Sequence, residues 1–261
     1  MRMENVKNRE KINDIIKVLL FIAVTFSISW SIWFSASNAV IEIIGSCMPS
    51  IVGFFILRSD KSGYYKDFGH RMIDFKLIRF PWILFILLVI PLITIMSIMT
   101  QKLLGGNTPS LNSFMQNVRN PLRILAFAIL GIGAGFGEEL GWRGFFLDTL
   151  LKYQNGLIAG LITGFVWATW HIPFALMNKE SLFSINFINY FIFVILISVL
   201  IAAIYIRNNR SILSCILLHG MVNFSQYITF FYNPVSEEIN VIRTIYLLFI
   251  VIGIILVSKT K

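Results

Sequence analysis

Long apolar runs separated by short polar segments dominate the pattern of this chain. A helix needs about 20 apolar residues to cross the hydrocarbon of a bilayer. The predicted spans are residues 15–36, 39–58, 80–100, 121–147, 157–177, 185–206, 210–231 and 240–258. The pattern therefore predicts an all-α fold, a polytopic membrane helix bundle with about eight transmembrane helices.

Composition agrees with a membrane location. Hydrophobic residues make up 57% of the chain and charged residues 13%, whereas soluble domains usually carry about 25% charged residues. We therefore expect an integral membrane protein surrounded by lipid. The two cysteines, Cys47 and Cys215, lie within apolar segments, which predicts neither a disulfide framework nor a thiolate metal site.

The net charge of +9 is explained by the distribution of basic residues between the predicted loops. With the N-terminus inside and Arg143 of the fourth span left out, 16 Lys or Arg lie in inner segments and 5 in outer segments. This bias follows the positive-inside rule and predicts that both termini are cytoplasmic. The basic residues then face anionic lipid, and we expect no nucleic-acid partner.

The fourth span contains the sequence GFGEELGWRGFF, which places charges in an apolar run. A charged side chain at the bilayer centre costs about 3 kcal/mol or more. Glu139 and Arg143 are four residues apart, with the acid first, which favours a helical ion pair. Glu138 lies about 100° round the helix and has no cation at pairing distance in sequence. We predict that Glu139 is structural and that Glu138 is a general acid or base.

The same span carries glycines at alternate positions. Gly131–Gly135 and Gly133–Gly137 are two GxxxG pairs, which allow close approach of helices. A phosphate-binding loop is the less favoured interpretation, because the spacing is not GxGxxG and no strand precedes it.

Two further spans each contribute a histidine. His171 follows Trp167 by four residues, and Pro173 removes a backbone donor and should loosen the helix there. His219 and Asn223 are four residues apart in the seventh span. Taken singly, these residues are equally explained by hydrogen bonds between helices.

Taken together, Glu138, His171, His219 and Asn223 predict one polar site built from three helices. A carboxylate, two imidazoles and an amide suit the activation of a water, either directly or through a metal. The sequence contains no HExxH motif, so a zinc site would have to be assembled across helices.

These residues resemble the CPBP intramembrane proteases, the CAAX-protease and bacteriocin-processing (Abi) family. Glu138 to Arg143 match its EExxxR motif, His171 matches the histidine of FxxxH, and His219 to Asn223 match HxxxN/D. Trp167 stands where the family usually has Phe. The resemblance covers residues 120–227 as a catalytic core. Residues 1–119 and 228–261 supply further spans without a recognised motif.

The resemblance implies a CAAX-type intramembrane endopeptidase. Glu138 would be the general base, His171 would position the water or the scissile carbonyl, and His219 with Asn223 would stabilise the oxyanion. Glu139, Arg143 and Trp167 would support the site. If the enzyme is a metalloprotease, His171, His219 and Glu138 are the candidate zinc ligands; a metal-free mechanism is the alternative.

The resemblance leaves the substrate open between a prenylated peptide and a leader-type or bacteriocin-like precursor. Two non-proteolytic alternatives also stay open: a non-catalytic bacteriocin self-immunity or scaffold protein of the same fold, and a transporter with a buried proton site. Because Glu138 and His219 fall in the inner halves of their predicted spans, we expect access from the cytoplasm.

Overall fold

The computed structural model describes residues 2–59, 65–177, 185–231 and 236–259. All regular structure in these ranges is helical, and eight helices are long and apolar enough to cross a membrane. The predicted fold class is thereby confirmed.

We number these helices α1 (Arg2–Ser35), α2 (Ala39–Ser59), α3 (Phe80–Leu103), α4 (Pro121–Leu150), α5 (Gly156–Phe174), α6 (Ile185–Arg207), α7 (Ile212–Phe230) and α8 (Glu237–Lys259). Short helices Tyr65–Ile73 and Leu111–Val118 and the 3₁₀ turn Phe75–Leu77 lie between them. Of the basic residues in the charge count above, Lys61 and Lys261 of the inner segments and Lys179 of the outer segments lie outside the described ranges.

Helix α4 starts and changes form where its sequence dictates. The Asn120 side chain accepts a hydrogen bond from the Arg123 amide, and Pro121 occupies the first turn, where its missing N–H costs nothing. From Leu140 to Leu147 the α-helix becomes a π-helix. This form is rare in proteins, and where it occurs it is often at a functional site. This change begins directly after Glu138 and Glu139.

Helix α5 is interrupted at the predicted position. Its regular part ends at Trp170, His171 forms a turn, and a short helix continues from Ile172 to Met177. The His171 amide donates to the Ala168 carbonyl at 3.1 Å. Because Pro173 has no N–H to donate to the Thr169 carbonyl, the helix breaks beside the histidine.

Close packing of α4 against α7 uses one of the two predicted glycine pairs. A Cβ on Gly131 would lie 2.6 Å from the Gly220 carbonyl oxygen, and a Cβ on Gly135 would lie 2.7 Å from the Ile216 carbonyl oxygen. The prediction for the second pair is wrong at Gly133, which is exposed and would place its Cβ in open space. The close contact therefore fixes the face of α4 that meets α7.

A set of charged side chains around the buried Asp148 lies at the C-terminal end of α4. Asp148 accepts a hydrogen bond from Tyr205 at 2.8 Å and forms ion pairs with Arg71 at 3.4 Å and Arg210 at 3.2 Å. These contacts bind the short helix Tyr65–Ile73 to α4 and to the C-terminal end of α6. The carboxylate and its cations compensate one another within the protein.

Candidate functional site

Four helices meet around a small cavity of about 130 Å³. Glu138 comes from α4, Trp167 and His171 from α5, Tyr190 from α6, and His219 and Asn223 from α7. The predicted convergence of Glu138, His171, His219 and Asn223 on one site is thus observed. At about 30 Å³ per water, the cavity has room for roughly four water molecules.

Glu138 is buried and has a neutral partner. Its side chain is only 6% exposed. Its Oε2 accepts a hydrogen bond of 2.7 Å from the indole nitrogen of Trp167. No ion pair to Glu138 is formed within the part of the chain that the structure describes. A buried carboxylate without a cation is costly, and the cavity is where a polar ligand could reach it.

Glu139 joins two motifs that are far apart in sequence. Its Oε1 accepts from Arg143 Nη1 and from His219 Nδ1, both at 2.7 Å. The Arg143 guanidinium also lies over the Trp167 ring, 4.4 Å from its centroid, a favourable cation–π position. The predicted Glu139–Arg143 pair is confirmed. The contact with His219 was not predicted from the sequence.

The two histidines use the same ring atom, Nδ1, for their contacts within the protein. His171 Nδ1 lies 2.9 Å from the Trp167 carbonyl oxygen, which can only accept, so Nδ1 carries the proton. That carbonyl is available because the helix breaks at His171. His219 Nδ1 likewise donates to Glu139. In both rings Nε2 is the atom that can bind a ligand in the cavity.

Asn223 and Tyr190 complete the polar wall. Asn223 lies one turn beyond His219 on α7, as its spacing predicted. Tyr190 was missed by the sequence analysis, although its ring centroid is 5.6 Å from that of His171. A signal was present, since Asn186, Asn189 and Tyr190 interrupt the start of an otherwise apolar span.

The side chains do not fit a zinc site of the usual kind. Structural and catalytic zinc sites need at least three protein ligands within about 2.3 Å of the ion. Among the described residues, no three His, Cys, Asp or Glu side chains gather closely enough to hold one metal ion. His171, His219 and Glu138 line one cavity without forming such a group.

A larger polar cavity of about 450 Å³ adjoins the first. Tyr190, Phe193, Val222 and Asn223 line both cavities. The larger one also includes Asn186 and Asn240, which lie near the N-terminal ends of α6 and α8. The pair of cavities therefore opens toward the end of the bundle opposite the chain termini. If the termini are cytoplasmic, as expected above, this opening lies on the outer face of the membrane. The expected access from the cytoplasm is then not possible through it.

Comparison with known proteins agrees with the motifs. Residues 120–225 match the model of the type II CAAX prenyl endopeptidase Rce1-like family. The chain is also 24% identical to CAAX prenyl protease 2 of Methanococcus maripaludis, over 92% of this chain and 93% of the relative. The resemblance inferred from the three motifs is thereby confirmed, and the family it points to is one of proteases.

Proposed function

We propose that this relative of the CAAX prenyl endopeptidases is an intramembrane endopeptidase, which hydrolyses a peptide bond of a membrane-associated peptide. The observation that carries the proposal is Glu138, a buried carboxylate with no ion pair among the described residues, which shares a cavity of about 130 Å³ with two imidazole rings whose Nδ1 atoms are used elsewhere in the protein. The substrate is a prenylated peptide or a leader-type, bacteriocin-like precursor.

The reaction starts with a water held between Glu138 and His171. Glu138 takes a proton from this water as general base, and the oxygen attacks the scissile carbonyl. Trp167 fixes one carboxylate oxygen, which leaves the other to receive the proton. His171 Nε2 accepts a hydrogen bond from the second O–H of the water, which keeps that hydrogen, and so orients the oxygen lone pair toward the carbonyl carbon.

The tetrahedral intermediate carries a negative oxygen that needs donors. The amide of Asn223 supplies one donor. His219 supplies the second from Nε2 as an imidazolium, because its Nδ1 proton is already donated to Glu139. Glu139 holds His219 in orientation through Nδ1. When the C–N bond breaks, Glu138 returns its proton to the leaving amine, so that no net proton is gained or lost at the enzyme.

Cleavage of a peptide panel by purified protein in lipid nanodiscs tests this proposal. The panel contains prenylated peptides with a CAAX terminus and leader-type peptides. We expect Glu138→Gln to lower kcat by at least about 100-fold, because general-base catalysis contributes about 10² to 10⁴. The amide oxygen of Gln still accepts from Trp167, so the thermal transition should not move. Glu10→Gln, an exposed substitution far from the cavity, is the matched control.

Three results would redirect the proposal. Equal cleavage by Glu138→Gln would remove Glu138 from the mechanism. A cellular immunity phenotype that survives Glu138→Gln, with no cleavage by the wild type, would support the scaffold alternative. Flux that depends on a pH gradient in proteoliposomes would support the transporter.

Zinc assistance through His171, His219 and Glu138 stays a prediction. Loss of cleavage on chelation, with recovery on zinc addition, would support it.

A further inference from the structure

A groove of about 460 Å³ lies at the end of the bundle that carries Arg2 and Lys259. It runs between the start of α5 and the C-terminal halves of α6 and α8. Among the described residues, none that lines it also lines the cavity around Glu138, so the proposed chemistry gives it no role. Its mouth is polar and contains Asn155 and Arg207. Its apolar wall includes Leu200 and Ala203 from α6 and Val251 and Ile255 from α8.

The mouth of the groove lies at the level of the lipid headgroups. Arg207 is the last residue of α6, and its guanidinium carbon lies 5.8 Å from the ring centroid of Trp82, near the start of α3. Tryptophan and long basic side chains are typical of this level of a membrane protein. Ala203 and Val199 precede Arg207 by four and eight residues, so they lie about 6 and 12 Å further along the helix. The groove therefore descends from the headgroups into the hydrocarbon.

Arg207 carries a charge that no carboxylate balances among the residues that the structure describes. Its Nη2 donates to the Ile254 carbonyl oxygen at 3.4 Å, which is long for a hydrogen bond. Asp148 and Asp14, two buried carboxylates at the same end of the bundle, pair with other cations. Because a guanidinium has five N–H donors, most of those on Arg207 are available to an anion at the mouth of the groove.

A phospholipid with a net negative charge matches both parts of the groove. Its phosphate can take the paired contacts that a guanidinium makes with phosphates, and one acyl chain can lie along the apolar wall. Basic pockets between transmembrane helices bind anionic headgroups in this way. A zwitterionic lipid has the same phosphate, but its own ammonium group competes with Arg207 for it.

We propose that this groove binds one anionic phospholipid from the leaflet on the side of Arg207, with the phosphate on Arg207 and an acyl chain between α6 and α8. The inference does not depend on the proposed protease function. The bound lipid contacts α5, α6 and α8 together, and it thereby stabilises the packing of the helix that carries Trp167 and His171.

Native mass spectrometry of the delipidated protein counts the lipids that bind. Dioleoyl phosphatidylglycerol and dioleoyl phosphatidylcholine compare an anionic and a zwitterionic headgroup on identical acyl chains. For the first lipid bound to the wild type, we expect an apparent Kd at least about 5-fold lower for phosphatidylglycerol. Arg207→Gln should remove this preference, and Arg207→Lys should retain part of it. Arg9→Gln removes an exposed positive charge at the same end of the bundle and is the matched control, which should keep the preference.

A second variant tests the apolar wall independently of the charge. Ala203→Phe places a ring in the groove and should weaken the binding of both lipids at least about 10-fold. Ala23→Phe, at an exposed position of α1 outside the groove, should bind both lipids as the wild type does. Thermal unfolding without lipid shows whether each variant is folded. Phosphatidylglycerol should raise the unfolding midpoint of the wild type more than that of Arg207→Gln, because it binds the folded wild type more tightly.

Three results would overturn the lipid site. The first is an equal Kd of the two lipids for the wild type, or a preference that survives Arg207→Gln. The second is binding of inorganic phosphate as tight as that of the lipid, since the acyl chain would then add nothing. The third is a dimer in the mass spectrum that disappears with Ala203→Phe, which would assign the groove to a second copy of the chain.

Discussion

At the scale of single residues, Trp167 differs most from what its sequence context suggested. Where the related proteases usually have Phe, the indole keeps the aromatic ring and adds a donor. The donor is used, since its N–H contacts Glu138 at 2.7 Å. The ring face meanwhile lies under the Arg143 guanidinium. One side chain thus orients the proposed base and stabilises the cation that holds Glu139.

We expect Trp167→Phe to lower kcat by about 10- to 100-fold, because a hydrogen bond to a charged group contributes about 1.5–3 kcal/mol. KM should change little, since the indole N–H contacts the proposed base and not the substrate. Steady-state kinetics in nanodiscs measures both values. Trp170→Phe makes the same change in a buried tryptophan whose indole nitrogen has no hydrogen-bond partner. A similar loss of kcat in both variants would contradict the positioning role.

Residue spacing predicted the contacts within a helix and missed those between helices. The Glu139–Arg143 pair follows from a separation of four residues on one helix. The Glu139–His219 contact depends on how α4 and α7 are rotated and shifted against each other, which no local pattern encodes. The roles of Glu138, His171, His219 and Asn223 stay predictions, although their meeting in one cavity is observed.

At the scale of elements, the site depends on the contact between α4 and α7. These helices carry the two carboxylates and His219, and they approach most closely at Gly131 and Gly135. The spacing of the glycines shows which of them share a face. It does not show which face meets another helix, and for this reason Gly133 was assigned to packing but lies exposed.

We expect Gly135→Ala to destabilise the protein, because its methyl group would lie 2.7 Å from a backbone carbonyl oxygen of α7. Overpacking of this kind typically costs about 1–3 kcal/mol, which would lower the midpoint of thermal unfolding in detergent. Gly133→Ala, two residues away and facing open space, should be neutral or slightly stabilising, since Ala is the better helix former. Equal midpoints for the two variants would show that α4 and α7 are not in tight contact.

At the scale of the whole molecule, charge bias and cavity position must be considered together. The basic residues favour cytoplasmic termini, and the cavities open at the opposite end of the bundle. If both statements hold, the peptide arrives from the outer face, and an exported leader-type peptide becomes the better substrate. A cytoplasmic opening would instead favour a prenylated protein tail.

Cysteine labelling of whole cells decides between these orientations. We expect Glu237→Cys, in a cysteine-free background, to react with a membrane-impermeant maleimide. Lys11→Cys should react only after permeabilisation, since it lies near the proposed cytoplasmic terminus. Both positions are exposed, so they serve as controls for one another. The reverse labelling pattern would place the cavity opening in the cytoplasm and would contradict the orientation derived from charge.

The size of the two cavities also limits which membrane proteins can enter the site. The cavity of about 130 Å³ that Glu138 and the two histidines line, beside a polar cavity of about 450 Å³, leaves room for a short chain end. The middle of an intact transmembrane helix has chain on both sides of any bond, and both would have to fit in the cavities at once. For the proposed protease, this geometry predicts that intact membrane proteins diffusing past it are not cut, even without an inhibitor.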